Sequence, residues 1–120
     1  MNKNIIEKYN VILRKKQIVW EIAGEHEVST FSSNNKYLDE LLNGLSSDDI
    51  TENLIPEIEK VLSGNESEVE SGSETITIIL KKNEVDLYDN EGGFRNTIPV
   101  VDFKEICLGW LDFLLTPLQS

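Results

Sequence analysis

The sequence predicts an α+β fold: a single domain, 1–120, in which an antiparallel sheet packs against helices and a long amphipathic helix comes last. Three observations carry this expectation. Residues 75–101 alternate apolar and polar side chains in short runs separated by turns, which is the pattern of a three-strand meander. Residues 103–115 carry apolar side chains at helical spacing, and residues 37–62 hold two further helical stripes.

The elements follow in order. Ile5, Ile6, Tyr9, Ile12 and Leu13 match a helix, but Tyr9, Val11 and Leu13 also alternate, so residues 4–15 fit either helix or strand. Residues 17–23, QIVWEIA, read as a strand with Ile18, Trp20 and Ile22 on one face. Gly24 breaks it and residues 26–31 return as its partner. After the cap-forming Ser32–Asn35 stretch, Tyr37, Leu38, Leu41, Leu42 and Leu45 share a helical face that ends near Gly44. After Ser47-Asp48-Asp49, Ile50, Leu54, Ile58, Val61 and Leu62 mark the next helix. Pro56 is best tolerated in a first turn, which would move that helix's start to about Asn53.

Residues 63–74, SGNESEVESGSE, have one apolar side chain, Val69, and no helical stripe. Their composition predicts a flexible acidic loop. The meander follows, with Ile76, Ile78 and Leu80, then Val85 and Leu87, then a strand that Pro99 marks as an edge or an end. Asp102 and Glu105 have capping-box spacing for the last helix. Phe103, Ile106, Cys107, Trp110, Phe113 and Leu114 form its main stripe. Leu108, Leu111 and Leu115 widen the apolar surface, so that flank requires a cover: residues 37–62, or a second copy in a homodimer.

Charge narrows the function. Twenty-two acids against 11 bases give a net charge of −11, which repels phosphates and disfavours nucleic-acid binding. Residues 1–16 are basic, with five bases against Glu7. Residues 21–74 carry fourteen acids against Lys36 and Lys60. Such a field attracts a basic partner. The acids that predict this contact are Asp39, Glu40, Asp48, Asp49, Glu52, Glu66, Glu68, Glu70 and Glu74.

Most catalytic arrangements lack their parts. His26 is the one histidine and Cys107 the one cysteine, which excludes an intramolecular disulfide, a two-histidine zinc site and any cysteine-based zinc site. There is no G-x-S-x-G elbow and no glycine-rich phosphate loop. The run D-L-Y-D-N-E-G-G lacks calcium-loop spacing and fits a hairpin turn. Neither catalysis nor a cofactor or metal is expected. No apolar run reaches the ~18 residues that span a bilayer, and the N-terminus lacks a signal-peptide core, so the expected location is the cytoplasm and no membrane partner is expected.

Residues 75–115 combine a β-meander, Ile98-Pro99 at a strand end, and an acid-led helix of the form F-x-x-x-x-x-x-W-x-x-F-L, here Phe103, Trp110, Phe113 and Leu114. This stretch, about a third of the chain, resembles the C-terminal part of small bacterial immunity proteins of contact-dependent inhibition and other polymorphic toxin systems. The resemblance implies a sheet packed on helices, no enzymatic activity, and one tightly bound partner, a cognate toxin domain that is often a nuclease. An acidic protein would then block the basic groove of that nuclease. The resemblance assigns no binding residues. Two other classes stay open: an acidic DNA mimic that inhibits a restriction or repair enzyme, and a small enzyme or metal-binding domain built on carboxylates.

Overall fold

The computed structural model describes residues 1–20 and 24–117. Ile22 lies outside the described residues, as do the side chains of Trp20 and His26. The chain forms α1 (Lys3–Tyr9), β1 (Ile12–Trp20), β2 (Gly24–Ser32), α2 (Lys36–Asn43), α3 (Ser47–Asp49), a π-helical stretch (Ile50–Leu54), α4 (Ile55–Leu62), β3 (Glu68–Gly72), β4 (Ile76–Lys81), β5 (Glu84–Asp89), β6 (Phe94–Pro99) and α5 (Val100–Leu115). The strands make two antiparallel sheets, a β1–β2 hairpin and a four-stranded sheet in the order β3-β4-β5-β6. The α+β reading holds, including the meander and the long last helix.

The opening segment is both of its readings in turn. Asn2 caps α1 by accepting from the Ile5 amide at 2.9 Å. Asn10, in the left-handed region at φ 52°, ends the helix and frees Ile12 onward to be a strand. Of the two starts open for the helix that carries Pro56, the earlier one, at Ser47–Asp49, is the one formed. Ser46 and Asp49 form a reciprocal capping box. Proline lacks an amide and crowds the carbonyl four residues back. The widened π turn before α4 is the geometry that lets the helix run past Pro56 without a break.

The acidic stretch is corrected most. Residues 68–72 are not a loop but the edge strand β3, with Val69 opposite Leu80 and Ser71 opposite Ile78. An edge strand needs few apolar side chains, because the ladder to β4 satisfies its backbone, and of the two side chains on its inner side only Val69 is apolar. Carboxylates on its exposed side suit an edge. Gly72 makes the return possible. Its φ is +140°, and a Cβ there would lie 2.1 Å from the Ile76 carbonyl oxygen.

Ile76, Ile78, Leu80, Val85 and Leu87 face the helices and are fully buried with Leu38, Leu41, Leu42, Ile58, Phe103, Ile106 and Cys107. Pro99 ends the edge strand β6, as its missing amide requires. The expected capping box at α5 is absent: Pro99 holds the N-cap position, and the two acids hold α1 instead. Tyr9 Oη donates to Asp102 Oδ2 at 2.6 Å, Lys8 Nζ to the same oxygen at 2.8 Å, and the Asn2 amide to Glu105 Oε1 at 3.0 Å. Met1 then lies against Gly109, where a Cβ would come within 2.7 Å of its side chain. Of the leucine flank, Leu111 packs on the core, whereas Leu108 is 40% and Leu115 64% exposed.

The hairpin docks through its base. Phe31 is buried edge-on against Trp110 at 5.7 Å, and Phe113 stacks on the same indole at 5.9 Å. Asn43 imitates a neighbouring strand. Its Oδ1 accepts from the Phe31 amide and its Nδ2 donates to the Phe31 carbonyl, both at 2.9 Å. Lys15 Nζ donates to the Phe113 carbonyl at 2.7 Å and to that of Thr116, at the negative end of the α5 dipole.

Two outcomes follow. Trp110→Ala should cost roughly 3–5 kcal/mol, read from the urea midpoint, because it empties the centre of this cluster. Asn43→Ala should cost about 1–3 kcal/mol by stranding the Phe31 amide and carbonyl. Hydrogen exchange at Phe31 should then rise more than at Ile78.

Candidate partner-binding surface

The helices contact one face of the four-stranded sheet and leave the other uncovered. Side chains alternate along a strand, so the residues between the core positions form that outer face. The register sets them in rows. Glu68 lies opposite Lys81, Glu70 opposite Ile79, Ile79 opposite Asp86, and Asp86 opposite Thr97. Thr77 lies opposite Tyr88, and Tyr88 opposite Phe94.

The centre of this face is apolar. Ile79 and Tyr88 are half-buried, and Phe94 is 56% exposed. The Tyr88 and Phe94 rings meet edge to face, 5.6 Å apart at 67°. The β5–β6 turn holds Phe94 in place. Asp89 Oδ1 accepts from the Glu91 and Gly93 amides at 3.1 and 3.2 Å, and Oδ2 accepts from Arg95 Nε at 2.6 Å. Partial burial pushes the Asp89 carboxyl up, but Arg95 and the turn amides outweigh it and hold the group below its ordinary range.

Charge surrounds that centre. Asp86 is 7% exposed, ion-paired to Lys81 at 2.8 Å and accepting from Thr97 Oγ1 at 2.8 Å. The Lys81 ammonium, helped by Thr97 and opposed by burial, holds this carboxyl below the usual range. Glu68 and Glu70 stand exposed on the edge strand. Glu70, Thr77, Ile79, Tyr88, Asp89, Asn90 and Gly92 line a shallow concavity of about 390 Å³.

The nine acids singled out in the sequence do not form one patch. Glu68 and Glu70 share the outer face, while Glu66 precedes β3 and Glu74 sits in the turn after it. Asp49 and Glu74 line a second cleft of about 460 Å³, with Asn53, Ser71, Gly72, Ser73 and Thr75 among its walls. Asp49 has structural work: its Oδ2 accepts from the Ser46 amide at 2.9 Å, and that bond lowers its carboxyl. Asp39 accepts from Ser33 Oγ at 2.6 Å and steadies the start of α2. Glu40 lines a third cleft with Lys36, Tyr37 and Arg95. Asp48 and Glu52 are exposed on the helical stretch that runs from α3 toward α4.

Ile79, Tyr88 and Phe94 were not singled out. Alternation places Ile79 and Tyr88 away from the core, whereas Phe94 has the parity of buried Ile98 and is turned outward by the register shift at Leu87 and Tyr88.

Cys107 is fully buried, and burial alone pushes its thiol up, as suits a packing residue. Among the described residues, no group of three or more His, Cys, Asp or Glu side chains could hold a metal ion, and no helix is long and apolar enough to cross a membrane.

The pair of buried Asp86 with part-exposed Lys81 on this face predicts a pH dependence. The folded carboxyl of Asp86 titrates below its unfolded value of about 3.9, so its contribution is present above that value and is lost as pH falls through the folded pKa. Asp86→Asn should therefore be less stable than the wild type at pH 6, and the gap in urea midpoint should shrink by pH 3. A gap that stays constant over that range would exclude the linkage.

Compared with protein-family models, with curated proteins and with solved structures, the chain matches none of them.

Proposed function

We propose that the protein is an immunity protein, a stoichiometric binder that neutralises a cognate toxin domain in the cytoplasm without performing a reaction of its own. The observation that carries this reading is the uncovered sheet face with an apolar centre and a carboxylate edge. It belongs to a chain whose residues 21–74 hold fourteen acids against two bases. A nuclease must present a basic groove to bind phosphates. An acidic protein surface competes for that groove, and water-exposed carboxylates draw the two together over distance. The resemblance of residues 75–115 to immunity proteins supports the same reading. An acidic DNA mimic would require carboxylates spaced along a surface like a phosphate backbone. Here Asp39 and Asp49 are committed to intramolecular hydrogen bonds instead.

A toxin domain is expected to be encoded beside this gene, and that domain is the test. The protein should protect cells that express that domain and should bind it in a one-to-one complex. Replacing Glu66, Glu68, Glu70 and Glu74 by Gln should slow association by up to ~10–10³-fold at low salt. Dissociation should change little, because an exposed pair is worth only ~0–1 kcal/mol. The two proteins should converge as salt rises. No protection against that domain, or inhibition of a restriction enzyme in its place, would overturn the proposal.

A further inference from the structure

We infer that the outer face of the four-stranded sheet is an arginine-selective docking surface, with Phe94 and Tyr88 as the stacking platform and Glu70 as the carboxylate partner. This deepens the preceding reading and rests on it for the basic character of the partner. The acids account for fast encounter. They do not account for a long-lived complex, which needs desolvated anchors near the centre of an interface.

Three observations locate the anchor. First, Ile79, Tyr88 and Phe94 run across three neighbouring strands with no helix over them, and Phe94 is 56% exposed. Single exposed apolar side chains are ordinary, but an adjoining set on an uncovered face marks a contact surface. Second, Glu70 shares a concavity of about 390 Å³ with Ile79 and Tyr88. Its carboxylate makes no hydrogen bond or ion pair among the described residues. A cation laid on the Tyr88 ring, which Phe94 adjoins, would therefore find an uncommitted acid within the same concavity. Third, the protein already holds an arginine by this chemistry at the adjoining turn. The Arg95 guanidinium lies 5.7 Å from the Tyr37 ring centroid and is bound by Asp89.

Arginine fits this surface better than lysine for a physical reason. Guanidinium is planar and weakly hydrated, so it stacks on an aromatic ring while its edge donates to a carboxylate. Ammonium is compact and strongly hydrated, and loses more on leaving water.

Acetylated and amidated tri-arginine and tri-lysine are the probes, titrated into isotope-labelled protein at low salt and followed by amide chemical shifts. Tri-arginine should bind about two- to five-fold more tightly than tri-lysine, the range a water-exposed cation–π contact supplies. Shifts should centre on Ile79, Tyr88 and Phe94. Phe94→Leu keeps the apolar bulk and removes the π face, so it should abolish the preference by weakening tri-arginine binding more than tri-lysine binding. Glu70→Gln should weaken both peptides. Equal binding of the two peptides, a preference that survives Phe94→Leu, or shifts centred on α2 and α3 would overturn the inference. Failure here is distinguishable from failure of the immunity reading. A cognate toxin neutralised with unchanged residence time by Phe94→Leu protein sinks only the docking surface. Arginine selectivity without neutralisation sinks only the immunity reading.

Discussion

The packing of Trp110 is the contact on which the rest of the structure depends. From the middle of α5 it meets Phe31 from the hairpin and Phe113 from its own helix. The same helix buries Phe103, Ile106 and Cys107 in the core that covers the sheet, and receives α1 through Asp102, Glu105 and Gly109. Two sheets that share no strand pairing are thus joined through α5, with α2 as a second link through Asn43. Removing apolar surface from water supplies the driving force. The polar clamps at Asn43, Lys15 and Asp102 choose one orientation among those that hydrophobic contact alone would allow.

Much of this was legible from side-chain periodicity. The meander and the two helical stripes in 37–62 were each signalled by a repeat of two or of 3.6 residues, because one face of each element is buried. The stripe of α5 was equally clear, although its N-cap was misplaced onto Asp102. Capping-box spacing was present there, but a strand that ends at Pro99 runs directly into the helix and leaves that acid to Tyr9 and Lys8. β3 was hidden for a different reason. Its order comes from backbone pairing with β4 and from the positive φ of Gly72, and neither leaves an apolar pattern in the chain. Pro56 misled in the opposite direction, since a π turn is a response of the backbone that no residue type announces.

The proposed site was half legible. Charge composition pointed to Glu68 and Glu70, which do stand on the uncovered face. The same criterion selected Asp39 and Asp49, whose oxygens are engaged locally. Counting acids cannot separate a carboxylate that steers a partner from one that caps a helix, because both are hydrophilic and near the surface. The apolar centre was passed over because Tyr88 and Phe94 look like core residues until the register shows which way they point.

The alternation of the four-stranded sheet also divides labour along the chain. Ile76, Ile78, Leu80, Val85 and Leu87 carry the folding free energy, while Thr77, Ile79, Tyr88 and Phe94, interleaved with them or just beyond, meet the solvent. A substitution at one of the outward positions changes the surface offered to a partner and leaves the interior filled. Thr77, Ile79, Glu70 and Phe94 can therefore be exchanged in combination at small cost to the scaffold, whereas the glycine at 72 and the tryptophan at 110 cannot. Under the proposed docking role, the architecture is suited to rapid change of partner: recognition can drift through sequence space while the frame that presents it stands still.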